Sequence, residues 1–256
     1  MRISSLFAVL FVLARNVLSL LSRKGEQMSD NLTWRPMLAN LVEASAEISQ
    51  LAERLHYLTF GDVPKGAVHD AETHAYIERK RPLSEGSLFV MLEHSLHHLN
   101  WAWNCRHEKE ACVWKFCDSD AERWGKLPRD LPFDDLWPRD ALSLESPLDD
   151  ALDIAGIRMF ILTADIKLQS LAYRVYRQID KVDGCRILKF KGFSPRAVDM
   201  PLTEEVYGRR LHVIYGNING AWNNRHGTLK DITPETIGEY MKFSADFAHG
   251  TYNMWP

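Results

Sequence analysis

The 256-residue sequence has only four cysteines, Cys105, Cys112, Cys117 and Cys185. That is too few for a disulfide scaffold of this length. The spacing of the first three is not the paired C-x-x-C of a structural zinc site, so free, reduced thiols are expected. Excess basic charge is also missing. The formal net charge is −3 and the sequence pI about 6.4, so the composition gives no evidence for nucleic-acid or anionic-lipid partners. There is no Gly-rich phosphate loop, nucleophile elbow or dinucleotide fingerprint. A zincin H-E-x-x-H and the paired Glu-x-x-His motifs of di-iron bundles are absent too. The tryptophans Trp101, Trp103, Trp114, Trp124 and Trp137 have no basic stripe between them and read as core and loop anchors rather than a base-stacking platform.

Apolar and charged residues, at 46% and 25%, are ordinary for a globular chain. The one long apolar run is Ile3–Leu21, with Arg2 before it and Arg23-Lys24 after it. It has the h-region of a secretory signal at Leu6–Ala14 but no convincing small-x-small cleavage site. As a membrane span it is short, and Arg15 in its middle costs roughly 2.5–3.5 kcal/mol on insertion scales. Met28-Ser29-Asp30 reads as an ordinary start, which makes residues 1–33 an apolar leader and polar lead-in and the expected location cytoplasmic. The alternative is a secreted or membrane-anchored protein held through residues 3–21, and a membrane partner follows only in that case.

What the chain does contain is an internal echo. Pro82-Leu83-Ser84-Glu85 returns as Pro201-Leu202-Thr203-Glu204, and Asn100–His107 (NWAWNCRH) returns as Asn219–His226 (NGAWNNRH). Over Pro82–His107 and Pro201–His226, 26 positions align without a gap and 10 are identical. Unrelated stretches match at about one or two such positions, which points to duplication.

Periodicity supplies the elements. Leu38, Leu41, Ser45, Ile48, Ala52 and Leu55 put one apolar stripe on a helix from about Arg35 to Thr59. A second helix starts at Ser84 as N-cap and carries Leu88, Leu92, Leu96, Leu99 and Trp103. Ser119–Glu122 reads as the capping box of a short helix. Ser146, Pro147 and the acidic Asp149, Asp150 and Asp153 mark the start of a helix of some 30 residues. Cys185–Phe193 is a short strand or an extended connection. A fourth helix runs from Thr203 to about His226, and a fifth from Thr233-Pro234 to about Ala248. The expected fold is all-α. Two helical hairpins form a pseudo-two-fold four-helix core with shorter peripheral helices, in one domain over 34–256 made of repeats at about 34–145 and 146–256.

Two sets of residues are candidates for function. Asn100, Trp103, Asn104 and His107 share one helix face, Asn219, Trp222, Asn223 and His226 repeat it, and Arg106 and Arg225 point to a different side. Read as structure, these groups fill the end of the core and satisfy loop carbonyls and helix ends. Read as a site, they wall a pocket for a small polar or anionic ligand or a protein partner. The second candidate is Glu93, His94, His97 and His98. His94 and His98 have the i, i+4 spacing that lets two imidazoles grip one metal, with further ligands from His56, His69 or His74. This quartet has no echo, because His212, Val213, Gly216 and Asn217 stand at the matching positions.

The leading functional expectation is therefore an all-α binding or interaction protein with no cofactor, using the repeated polar-aromatic residues. The alternative is a metal-dependent, hydrolase-like enzyme in which the quartet holds a divalent transition metal such as zinc and Glu93 serves as base.

Overall fold

The computed structural model describes residues 32–61, 83–128, 130–131, 151–183, 202–227 and 232–247. Among the described residues every regular element is a helix: α1 Trp34–Phe60, α2 Glu85–Asn104, α3 Glu110–Val113, α4 Asp118–Gly125, α5 Ile154–Asp183, α6 Glu204–Asn223 and α7 Ile237–Tyr240, then a 3-10 turn at Ala245–Phe247. The fold is all-α, as the period of three and four residues requires.

The apolar stripes do the packing. Met37, Leu41, Ala44, Ile48, Leu51, Ala52 and Leu55 of α1 are buried, and so are Ile157, Ile161, Ala164, Leu168, Leu171, Ala172 and Val175 of α5. Members of the two sets lie 120 positions apart, one by one. Each fully buried aliphatic side chain contributes about 1.5–3 kcal/mol. α1 packs along α5 and α2, α5 along α6, and α2 against α6. The Thr33 amide donates to the Arg106 carbonyl, and the Asp153 amide to that of Arg225, both at 2.7 Å. The start of each long helix is thereby pinned to the end of the helix that follows, making both hairpins antiparallel. Ser49–Asp165 and His56–Arg158 contacts run α1 antiparallel to α5 as well.

Helix ends follow local chemistry. Gly61, at φ 74°, closes α1 by donating its amide to the Tyr57 carbonyl. Ser84 caps α2 in a reciprocal pair with Ser87, and Thr203 accepts the Val206 amide at the start of α6. α4 begins at Asp118 rather than at Ser119, with Asp120 accepting the Cys117 amide.

Two further boundaries differ from those expected. α5 starts at Ile154, not Ser146, because the Asp153 amide is committed to Arg225 and the Asp153 carbonyl caps Ile157; residues 146–150 lie outside the described residues. The fifth helix is broken into α7 and the 3-10 turn. The Tyr240 and Lys242 carbonyls both accept from Asn223, and the Ser244 amide donates to Asn219, so groups that a continuous helix needs are already bonded.

No described helix is long and apolar enough to cross a membrane. Ile3–Leu21 and Cys185–Phe193 fall outside the described residues. Cys105, Cys112 and Cys117 are free thiols, as expected. Burial pushes the Cys105 thiol up to about 12.

Candidate functional site

The repeated residues sit at the C-terminal turns of α2 and α6, and most of their polar groups are bonded within the protein; Asn223 Oδ1 and both ring nitrogens of His226 are buried without a hydrogen-bond partner. Asn104 donates Nδ2 to the carbonyls of Trp124 and Lys126, at 2.9 and 2.7 Å. Asn223 gives its Nδ2 to Tyr240 and Lys242, at 2.8 and 2.6 Å. Asn100 donates to the Gly125 carbonyl at 2.7 Å and accepts the Tyr215 hydroxyl at 2.6 Å. Asn219 donates to the Tyr215 carbonyl and accepts the Ser244 amide. The indole of Trp103 donates to Asp130 at 2.8 Å, and that of Trp222 to Asp246 at 2.7 Å. Each Asn and Trp therefore straps a downstream loop onto its own helix.

The arginines do not point to a different side. Each folds back over the tryptophan three residues earlier, with the guanidinium carbon 3.9 Å from the ring centroid for both Arg106–Trp103 and Arg225–Trp222. At the helix end the chain has left the helical path, so the helical-wheel direction no longer applies. From there Arg106 reaches Glu204 Oε1 at 2.7 Å, and Arg225 reaches Glu85 Oε1 at 2.5 Å. His107 Nε2 is 3.1 Å from Glu204, while His226 Nε2, at 3.5 Å from Glu85, is in ion-pair range but long for a hydrogen bond. Burial alone raises both carboxyls. The hydrogen bonds and charges of the arginines and histidines outweigh it and hold Glu85 and Glu204 below the usual carboxylate range.

The quartet on α2 divides. His94 and His98 turn to α1: His94 Nδ1 lies 3.0 Å from Glu47 Oε1, and His98 Nδ1 3.2 Å from Asn40 Oδ1. His97 turns to α4, where a Cβ at Gly125 would meet its Cε1 at 2.9 Å, and its ring lies tilted at 44° to that of Trp101 on its own helix, 5.8 Å away. Glu93 is buried, with no hydrogen-bond partner at Oε2. Among the described residues no group of three His, Cys, Asp or Glu could hold a metal ion. His56 faces Arg158 and Phe60 on the α5 side, and His69 and His74 lie outside the described residues.

The α1 side of this seam, Asn40, Glu43 and Glu47, carries groups that the sequence reading passed over. Their i, i+3, i+7 spacing beside the apolar stripe is the available signal, but it is also that of an ordinary solvated flank. Electrostatically the seam is uneven. The Glu47 hydrogen bond raises His94 against the opposing effect of burial, with the Glu47, Glu43 and Glu93 charges adding to it. Burial raises Glu43, helped by Glu47, and burial raises Glu93. Burial and the neighbouring His94 lower His97 to about 4, and burial with both neighbours lowers His98 to about 3.

Neither a family model nor a curated protein nor a solved structure matches this chain.

Proposed function

We propose that the chain is a non-enzymatic, all-α binding protein built from a duplicated helical hairpin. The repeated Asn, Trp, Arg and His residues are its pseudo-two-fold frame, and the α1–α2 seam of the first half is its recognition face. The matched bonds at the ends of α2 and α6, and the one-by-one pairing of buried positions in α1 and α5, support the duplication.

The observation that carries the recognition face is a difference in one place. Where the first seam holds Asn40, Glu43, Glu47, His94 and His98, the second holds Phe160, Thr163, Lys167, Val213 and Asn217. Two carboxylates and two imidazoles gathered at one helix seam, where the counterpart has threonine, lysine, valine and asparagine, support a role beyond the shared architecture.

A thermal-shift screen with amine, carboxylate and phosphate compounds and divalent metal salts tests the reading. A ligand-induced rise that vanishes in Glu47→Gln/His94→Gln and persists in Asn100→Ala/Asn219→Ala supports it. The reverse pattern moves recognition to the repeated residues, and silence from every class rules out a small ligand.

A metal-dependent hydrolase is the second reading. The buried Glu93 carboxyl favours it, since its raised pKa suits a base. It requires ester hydrolysis that depends on added metal and is lost in Glu93→Gln.

A further inference from the structure

We infer that the α1–α2 seam is a two-histidine site for a divalent transition-metal ion of borderline softness, Zn(II) or Cu(II), with His94 and His98 as ligands through Nε2 and Glu47 and Asn40 as the residues that orient them. The inference rests on the seam as recognition face and names its ligand.

His94 and His98 are one turn apart on α2, and their ring centroids are 4.9 Å apart at 62°, close enough for two imidazoles to approach one ion. The hydrogen bonds across the seam fix which nitrogen each ring presents. An ionised carboxylate only accepts, so the Nδ1 of His94 at 3.0 Å from Glu47 carries the proton. Asn40 donates its Nδ2 to the Pro36 carbonyl at 3.0 Å, which turns Oδ1 toward His98 and makes the Nδ1 of that ring the donor too. In the neutral tautomers set this way, Nε2 is the lone-pair nitrogen of both rings. An acceptor on one imidazole nitrogen is the arrangement that orients metal-bound histidines and raises their basicity. Here both members of an i, i+4 pair have one, from a second helix.

Two imidazoles suit zinc and copper better than magnesium or calcium. Since no third His, Cys, Asp or Glu among the described residues is grouped with them, water or a donor from a bound partner completes the coordination. His97, packed on Gly125 and Trp101, is outside the site. The α5–α6 seam, with Val213 and Asn217 at the two ligand positions, is not a metal site.

The test uses the untagged full chain, stripped with chelator and titrated with zinc chloride by calorimetry and with copper sulfate by electron paramagnetic resonance. One ion per chain and a two-nitrogen copper signal are expected. His94→Gln and His98→Gln should each weaken binding at least about tenfold, and Glu47→Gln and Asn40→Ala, which keep both ligands, roughly 10–100-fold. Circular dichroism of each metal-free variant separates a lost ligand from a lost fold. Absence of zinc and copper binding overturns the inference. So does binding undiminished in His94→Gln/His98→Gln, or in Glu47→Gln. If metal fails while an organic ligand still gives a Glu47-dependent thermal shift, the metal falls and the recognition face stands.

Discussion

The α1–α2 and α5–α6 seams pair helices in the same antiparallel way but are lined by different residues. Between α5 and α6 the inner part of the seam is closed by apolar packing, while Lys167 and Val213 at its edge are exposed. Phe160 is buried, and a Cβ on Gly220 would come within 2.5 Å of its ring, so glycine is what admits the phenyl group. Thr163 bonds back to the Met159 carbonyl and Asn217 to that of Val213, local bonds that ask nothing of the other helix. Between α1 and α2 the Phe160 position is Asn40 and the Gly220 position is Trp101, which turns toward Phe116 and Trp124 instead. Asn40 stands where Phe160 does, and Glu43, Glu47, His94 and His98 stand where the other seam has Thr163, Lys167, Val213 and Asn217. A few kilocalories of apolar packing have been exchanged for polar groups that burial disfavours.

The largest test of the comparison is at the frame, where the two halves should respond alike. Trp103→Ala and Trp222→Ala each remove a buried indole that braces a loop, and each should cost about 3–5 kcal/mol in urea unfolding. A near-neutral result at either position would show that the frame is not shared. Arg225→Ala should follow at about 2–3 kcal/mol, because it removes a buried guanidinium that bonds Glu85 and the Trp222 carbonyl. Arg106→Ala should be milder, at about 1–2 kcal/mol, since Glu204 and Asp130 keep more access to water.

The clasp carboxylates also set a pH dependence. Glu85 and Glu204 have folded-state pKa values below 4.5, so their contribution is complete above that value and is lost as pH falls through the folded one. Unfolding free energies measured from pH 7 downward should decline on this limb, and Glu85→Gln/Glu204→Gln should flatten it. The smallest effect is expected in the seam. Burial raises the Glu43 pKa, so its charge opposes folding at neutral pH. Glu43→Gln should be neutral or stabilising, by less than about 1 kcal/mol in the same assay.

Much of the architecture was legible in the sequence because apolar residues at steps of three and four leave little choice of structure. The stripes of α1, α2, α5 and α6 are where periodicity puts them, and Ser84 and Thr203 cap as their chemistry suggests. Boundaries set by tertiary bonds were not legible. Nothing in Thr233–Ala248 announces that Asn219 and Asn223 will claim its backbone groups. The correspondence of α1 with α5 was nearly invisible as well, since Met37 and Ile157, or Leu55 and Val175, do the same work with different letters. For the candidate site, the sequence singled out the C-terminal turns of α2 and α6 but not the bonds their side chains make. Asn104 and Asn223 read equally well as ligand contacts or loop straps until their carbonyl partners are known. The second helix behind His94 and His98 was the greater omission, because Asn40, Glu43 and Glu47 look like any polar flank until α2 is laid beside them.

In the proposed reading the repeated residues are frame and the unrepeated seam is the recognition face. Urea unfolding of two double variants, Asn100→Ala/Asn219→Ala and Glu47→Gln/His94→Gln, tests it most directly. The frame variant removes the bonds of Asn100 to the Tyr215 hydroxyl and the Gly125 carbonyl and that of Asn219 to the Ser244 amide and should lose roughly 2–5 kcal/mol, while the seam variant should lose less than about 1 kcal/mol. A seam variant that unfolds the protein beside a frame variant of unchanged stability would contradict the account.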